Sequence, residues 1–442
     1  MKRLPKIVGI VCGVLYAVAA NSYLLIEKEP RHLWWVLATM VLINLCAGWP
    51  VPRAPRLRIA VVQHGAVLLT AFLTATVLSV VAHIVLAFRL LWQGYAPFLW
   101  SALFCAVALC LLFWVGILCV YAASLQMGVS QRVLGLVCGM IPVANLIVLV
   151  RIIRTAFKEV ETETEKERRF QERREQQLCK TRYPLLLVHG VFFRDSKYFN
   201  YWGRIPKELE RNGAQIHYGN HGSAAAVADS AEELAARIRE IVEQTGCEKV
   251  NVIAHSKGGL DCRYAMAHLG VAPYVASLTT INTPHRGCLF ADYLLTKVPE
   301  DLKNKVAETY NKTLKRLGEP EADFLAAVNN LTAAYCTQFD EETPPPETVY
   351  CQSVGSLMAN ARGGRFPLNF SYHLVRWFDG SNDGLVSEAS FEWGENYTLL
   401  APTGKEGISH GDMIDLNRRD VDGFDVREFY VQLVHRLKEK DL

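Results

Sequence analysis

The chain has 442 residues, 51% of them hydrophobic and 21% charged, which excludes a largely disordered protein and suits two or three domains. Its formal net charge of +3 conceals two unlike halves: residues 1–154 hold twelve Lys and Arg against only Glu27 and Glu29, a net +10, leaving the remainder at −7. The basic half carries its charges only between long apolar runs, the pattern of a membrane domain rather than of a nucleic-acid binder.

Five apolar runs, near 7–26, 33–49, 64–88, 97–123 and 133–150, approach or exceed the roughly 20 residues that a helix needs to cross hydrocarbon. Trp34, Trp35, Trp49, Trp92, Tyr95 and Trp100 lie near their ends, as an aromatic belt would. The first run follows Lys2, Arg3 and Lys6 in the manner of a signal peptide. Its length, the lack of a small-x-small cleavage site and the further runs favour a retained anchor. The fifth contains Gly139, Pro142 and Asn145, so a re-entrant or interior helix competes with a fifth span. Loop cations count seven on one side and six on the other, so the positive-inside rule assigns no side of the membrane to the C-terminal half. The expectation is a multi-pass membrane domain over 1–154.

Residues 155–182 interleave acids and bases and predict a solvated helical linker. Of the twelve cysteines, six (Cys12, Cys46, Cys105, Cys110, Cys119 and Cys138) lie in apolar runs as small hydrophobes. The other six are scattered without C-x-x-C or His-rich spacing, which gives no metal or redox motif.

From residue 183 short β-branched runs alternate with helical patterns. Strands are predicted at 184–190, 214–219, 249–255, 277–283, 347–356 and 395–400, and helices at 227–244, 257–269 and 423–438. Such alternation argues for an α/β domain with a mostly parallel sheet covered on both faces. Residues 289–340 break the alternation with amphipathic helical patterns, FLAAVNNLTAAY (324–335) among them, before Pro344-Pro345-Pro346 stops any helix. This excursion predicts a helical cap over the carboxyl edge of the strands.

The sharpest chemical signal is Ala254-His255-Ser256-Lys257-Gly258, between a predicted strand and a predicted helix. A nucleophile elbow needs small residues two before and two after the serine, because that tight turn admits no bulk. A serine hydroxyl also needs a base and an orienting carboxylate, which in this chain order follow downstream as acid and then histidine. Asp383, in Ser381-Asn382-Asp383-Gly384-Leu385, is the preferred acid, with Asp379 as competitor. His410, in a loop between the last strand and the last helix, is the preferred base. His435 sits inside that helix, and His373 opens a predicted apolar strand. An oxyanion hole needs two amide donors, expected from Lys257 and from Val191 in His189-Gly190-Val191-Phe192-Phe193.

Together LLLVHGVFF (185–193), VNVIAHSKGGLD (250–261), TINTPHRG (280–287), SNDGLVS (381–387) and ISHGDMIDL (408–416) resemble bacterial triacylglycerol lipases of the α/β-hydrolase superfamily over about three fifths of the chain. The resemblance implies an α/β-hydrolase domain over 183–442, Ser256, Asp383 and His410 as a triad, Val191 and Lys257 as oxyanion donors, and a lid near 289–340. It also makes His285 a structural residue. Many such lipases hold calcium near the histidine, partly through an Asp two residues later. Asp412 stands there, but Ala361 occupies about the place of the second carboxylate, so no calcium is predicted. A zinc-binding insertion of related enzymes is absent at NHGSAAAVADS (220–230), and no other cofactor is expected. The expected activity is hydrolysis of lipid or acyl esters at a bilayer. An acyltransferase or thioesterase using the same residues, or a non-catalytic membrane scaffold, is the alternative.

Overall fold

The computed structural model describes residues 3–49, 56–90, 95–141, 144–191, 201–316, 323–401 and 404–442. The chain divides into two compact units, Met1–Glu172 and Arg173–Leu442. The first is helical, with α1 (Leu4–Ala20), α2 (Tyr23–Lys28), α3 (His32–Cys46), α4 (Leu57–Leu90), α5 (Tyr95–Ala123), α6 (Val129–Val137) and α7 (Ala144–Arg173). Small residues allow α1 to lie against α4. A Cβ on Gly9 would stand 2.8 Å from the Thr70 Cβ, and one on Gly13 2.6 Å from the Thr74 Cβ. The Tyr16 hydroxyl donates to the Ala108 carbonyl at 2.9 Å, tying α1 to α5.

Two helices, Leu57–Phe88 and Tyr95–Ala123, are long and apolar enough to cross a membrane, whereas α1 and α3 are apolar but only 17 and 15 residues long. At about 1.5 Å per residue those two fall short of about 30 Å of hydrocarbon. The expected run at 133–150 is interrupted: α6 ends at Val137, a 3₁₀ turn covers Cys138–Met140, and α7 begins only at Ala144. Pro142, which lies in that break, is outside the described residues. The charged stretch after 154 is helical to Arg173, but it is not wholly solvated. Glu159 has no exposed side-chain surface; it accepts from Arg58 Nη1 at 2.5 Å, from Ser124 Oγ at 2.5 Å and from the Leu125 amide at 3.1 Å. One carboxylate therefore joins the start of α4, the turn after α5 and α7.

The second unit is built on six parallel strands in the order β2-β1-β3-β4-β5-β6. They are β1 (Leu185–Val188), β2 (Ile216–Tyr218), β3 (Val250–His255), β4 (Val275–Ile281), β5 (Tyr350–Ser356) and β6 (Asn396–Leu400), each overlapping a predicted run. The helices are α8 (Ile205–Arg211), α9 (Val227–Thr245), α10 (Lys257–His268), α11 (Leu289–Lys297), α12 (Glu300–Arg316), α13 (Phe324–Asn329), α14 (Ala333–Glu342), α15 (Leu368–Asp379) and α16 (Val426–Glu439). Period-two alternation splits β1, β3, β4 and β5 between two cores. Leu185, Leu187, Ile253, Ile281 and Val354 pack with Ile205 and Leu209 of α8 and with Tyr430, Val431 and Val434 of α16. Leu186, Val188, Val252, Ala254 and Leu278 pack with Leu234 and Ile238 of α9 and with Cys262 and Ala265 of α10. Because both faces are covered there, β1, β3 and β4 are buried along their whole length.

Four helices, α11 to α14, form the expected excursion between β4 and β5. The pattern at 324–335 is two helices rather than one, because the Thr332 hydroxyl accepts from the Tyr335 amide at 3.2 Å and starts α14 afresh. The stretch from His373 to Phe378, expected as a strand, is the second half of α15. Leu368, Tyr372 and Val375 recur at helical spacing and are its buried residues.

The Glu159 contacts generate a test of the first unit. Glu159→Ala removes the ionic partner of Arg58 and the acceptor of Ser124 Oγ and of the Leu125 amide, at about 1–3 kcal/mol for each buried group left unpaired. A thermal melt of the detergent-solubilised chain is expected to fall, and to fall less for Glu159→Gln.

Candidate active site

The strand order reverses at β1, so β2 and β3 leave it in opposite directions and open a crevice at the carboxyl edge, where open α/β sheets hold ligands. The ends of β1 and β3 face each other there. Ser256 follows β3 with φ 55° and ψ −133°, a strained conformation for a residue with a side chain. Its amide donates to the Ile281 carbonyl at 2.9 Å and its carbonyl accepts from Thr283 Oγ1 at 2.8 Å, so neighbouring β4 holds the turn. Glycine is required beside it: a Cβ on Gly190 would stand 2.7 Å from the Ser256 Cβ. At Gly258 a Cβ would strike the His189 carbonyl.

The same approach brings Val191, next to Gly190, beside the turn. Val191 is buried, while Phe192 and Phe193 of the same motif lie outside the described residues. Lys257 opens α10, where the first amides lack partners a turn earlier and the helix dipole favours negative charge. Its side chain points elsewhere: Nζ, fully buried, donates to Ser230 Oγ at 2.9 Å and to Asp261 Oδ1 at 2.7 Å. The other Asp261 oxygen lies 3.4 Å from His221 Nε2. This buried network pins the first turn of α10 to α9.

Asp383 and His410 are brought together: Asp383 Oδ2 lies 2.6 Å from His410 Nδ1, and the His410 amide donates to the Asp383 carbonyl at 2.9 Å. A carboxylate only accepts, so Nδ1 carries the proton and Nε2 is left as the basic nitrogen. Asp383 is fully buried, and its Oδ1 accepts from the amides of Leu385 at 2.9 Å and Val386 at 2.8 Å. The His410 ring lies against that of His255, with centroids 4.4 Å apart, which places the imidazole beside the residue preceding Ser256.

The competitors occupy other positions. Asp379 accepts from the amides of Leu289 at 3.0 Å and Phe290 at 3.2 Å, at the start of α11. His285 is buried, with Nδ1 3.0 Å from Arg263 Nη1, Nε2 2.9 Å from Thr280 Oγ1 and its ring stacked on Trp393. Burial, then Arg263 and Arg286, push its pKa well below the ordinary histidine value. His373 is exposed on α15, and His435 lies in α16 beside Glu439 at 3.6 Å.

Two contributors escaped the sequence reading. Asn282, at φ 48°, donates from Nδ2 to Asp383 Oδ2 and to Ser356 Oγ. The available signal was an Asn directly after a strand, a residue type that tolerates the left-handed region. The Tyr201 hydroxyl accepts from the Gly190 amide at 3.0 Å and donates to His255 Nδ1 at 2.7 Å. Burial, then the adjacent His410, hold the His255 pKa well below its usual value, consistent with an accepting Nδ1. No spacing rule links residue 201 to residues 190 and 255.

A family model for the alpha/beta hydrolase fold matches residues 183–362. A triacylglycerol lipase of Pseudarthrobacter phenanthrenivorans is 36% identical over 177 residues, covering 37% of this chain and 54% of that protein. The chain therefore spans about half the length of that relative. A triacylglycerol lipase of Vibrio cholerae is 30% identical over 247 residues, covering 50% of this chain and 77% of its own. The crystal structure of Staphylococcus hyicus lipase aligns with a TM-score of 0.47 at 17% identity, covering 59% of this chain and 97% of that one.

The buried network under Ser256 yields a stability test. Asp261→Ala strands the Lys257 ammonium in the core, and loss of one partner of a buried pair costs about 3–5 kcal/mol. Chemical denaturation of the variant is expected to show a loss of that size, whereas replacing an exposed acid such as Glu243 is expected to change little.

Proposed function

The chain belongs to the triacylglycerol-lipase-like α/β hydrolases, and from that premise we propose that it is a membrane-anchored serine hydrolase of lipid or other acyl esters. In this reading His410 Nε2 takes the proton of Ser256, whose oxygen attacks the ester carbonyl. The amides of Val191 and Lys257 bind the oxyanion, where charge develops only in the transition state. The imidazolium then returns its proton to the leaving alcohol, and water releases the acyl group by the same steps in reverse order. The observation that carries the reading is the 2.6 Å contact of Asp383 Oδ2 with His410 Nδ1, which fixes the tautomer that a general base requires.

A lipid substrate is supported by the surface near the site. Phe366, Phe370 and Trp377 are 86%, 69% and 85% exposed along α15 and the turn before it, among the exposed Arg362, Arg365 and Arg376. The buried Leu368 of the same helix lies beside Gly384 and Gly411, the neighbours of Asp383 and His410. Such an aromatic and basic face suits a lipid surface better than water. Anchoring is supported by α5, where Leu103, Val107, Leu111, Trp114 and Leu118 are each more than half exposed at helical spacing. Hydrocarbon is the solvent that such a face requires. The apolar runs outside α4 and α5 would contribute further passes.

Ser256→Ala is expected to lower kcat for a short p-nitrophenyl ester by about six orders of magnitude, as loss of a triad nucleophile does, and to abolish labelling by a fluorophosphonate. Asp383→Asn should lower kcat by about 10⁴-fold through the wrong tautomer, while Asp379→Asn leaves kcat within a few-fold. A reversal of the last two outcomes would reassign the acid. Cell membranes washed with alkaline carbonate are expected to retain the chain; its release into the wash would refute the anchor.

A further inference from the structure

The calcium that the lipase resemblance implies would lie at Asp412, two residues beyond His410. The residues here do not fit it. Asp412 is buried; Oδ1 accepts from Arg419 Nε at 2.8 Å, and Oδ2 accepts from Arg419 Nη2 at 2.8 Å, from the Ser409 amide at 3.0 Å and from Ser409 Oγ at 2.7 Å. A metal would have to displace a fixed cation from a carboxylate whose oxygens are already engaged. The same guanidinium donates from Nη2 to the Gly363 carbonyl, at the end of the 3₁₀ turn Ala361–Gly363, and from Nη1 to Glu406 Oε2 at 3.0 Å. It thus bridges Asp412 and the turn containing Ala361, where the second carboxylate was expected. Among the described residues no three His, Cys, Asp or Glu cluster as a metal site.

We propose that Arg419 does the work of a bound cation, holding the segment that carries His410 and freeing the active site from any need for a divalent metal. The segment 406–412 is the element to be held. It is tied to its neighbours by the Ile408 amide on the Leu357 carbonyl at 2.7 Å and by the Ala359 amide on the Glu406 carbonyl at 3.0 Å. Between these ties and His410 the remaining demand is the buried Asp412 charge, which must be answered by a cation or the turn rearranges. A guanidinium answers it with a planar fork that matches both carboxylate oxygens. Hydrogen bonding to Asp412, outweighing burial, raises the Arg419 pKa above its usual value, so the charge is present at every physiological pH. Arg419 touches no reacting atom; it is a positioning residue acting through Asp412 on the His410–Asp383 geometry. The inference rests on His410 being the base.

The test uses the full chain in detergent micelles with p-nitrophenyl butyrate. Wild type is expected to turn over equally in excess EGTA and in millimolar calcium chloride; a rate lost in EGTA and regained with calcium would overturn the proposal. Arg419→Ala is expected to lose about 10- to 100-fold in kcat, the usual effect of removing a group that orients a catalytic one, with KM little changed. Millimolar guanidinium chloride is expected to restore part of that loss. A folded Arg419→Ala with wild-type kcat would sink the idea. Should that variant fail to fold, Arg419→Lys decides: it keeps the charge without the fork, so a reduced kcat supports the proposal and a wild-type kcat refutes it. Ser256→Ala, run alongside, separates the two readings, since turnover surviving that change would fault the catalytic assignment and not the role of Arg419.

Discussion

An ionised carboxylate sealed from water must have its charge answered on every side, and the second unit is organised around that demand at Asp383. Two amides from its own turn, the Asn282 amide group and the His410 ring answer it. These partners come from the ends of three different strand connections. The carboxylate therefore fixes the tautomer of the imidazole and also clamps three loops at one edge of the sheet. The strained Ser256 turn is stabilised by comparable means, with β4 supplying the Ile281 carbonyl and the Thr283 hydroxyl just beyond it. Strain at one residue is held by ordinary hydrogen bonds at its neighbours.

Cations largely withdrawn from water serve as the counterpart of the acids beside them. Lys257 answers Asp261 beneath the Ser256 turn, Arg419 answers Asp412 beside His410, and Arg263 of α10 pairs with Asp340 of α14 at 2.6 Å. In each case the side chain supports a loop or helix that borders the site. Polar interactions here specify position, while the leucines and valines of the sheet supply most of the apolar burial.

Much of this was legible in the sequence because the physics is local. All six strands were readable because each is a short β-branched or apolar run between breakers, and the Ser256 turn because only small residues fit around it. Chain order singled out Asp383 and His410 as candidates, and the two side chains lie 2.6 Å apart. What escaped depends on contacts between residues far apart in the chain. Asn282 and Tyr201 act across about a hundred and about fifty positions respectively, and Arg419 reaches back 56 residues to Gly363. The error at α15 has a different origin. Its run of aromatic and β-branched residues favours strand locally, and the burial of Leu368, Tyr372 and Val375 on one side overrides that preference. In the first unit composition revealed the apolar character, but helix ends near Gly48 and at residues 138–141 shortened or divided runs that composition alone joins.

The packing of α16 on β1 bears on how the protein is made. Leu185 and Leu187 open the sheet, yet part of what covers them, Tyr430, Val431 and Val434, is synthesised about 245 residues later. Until the ribosome has delivered that last helix, the founding strand presents a bare greasy flank to water. Such long-delayed closure slows folding and exposes nascent chains to sticking. Loss of the residues of α16 would therefore leave one face of the founding strand uncovered instead of producing a smaller folded unit.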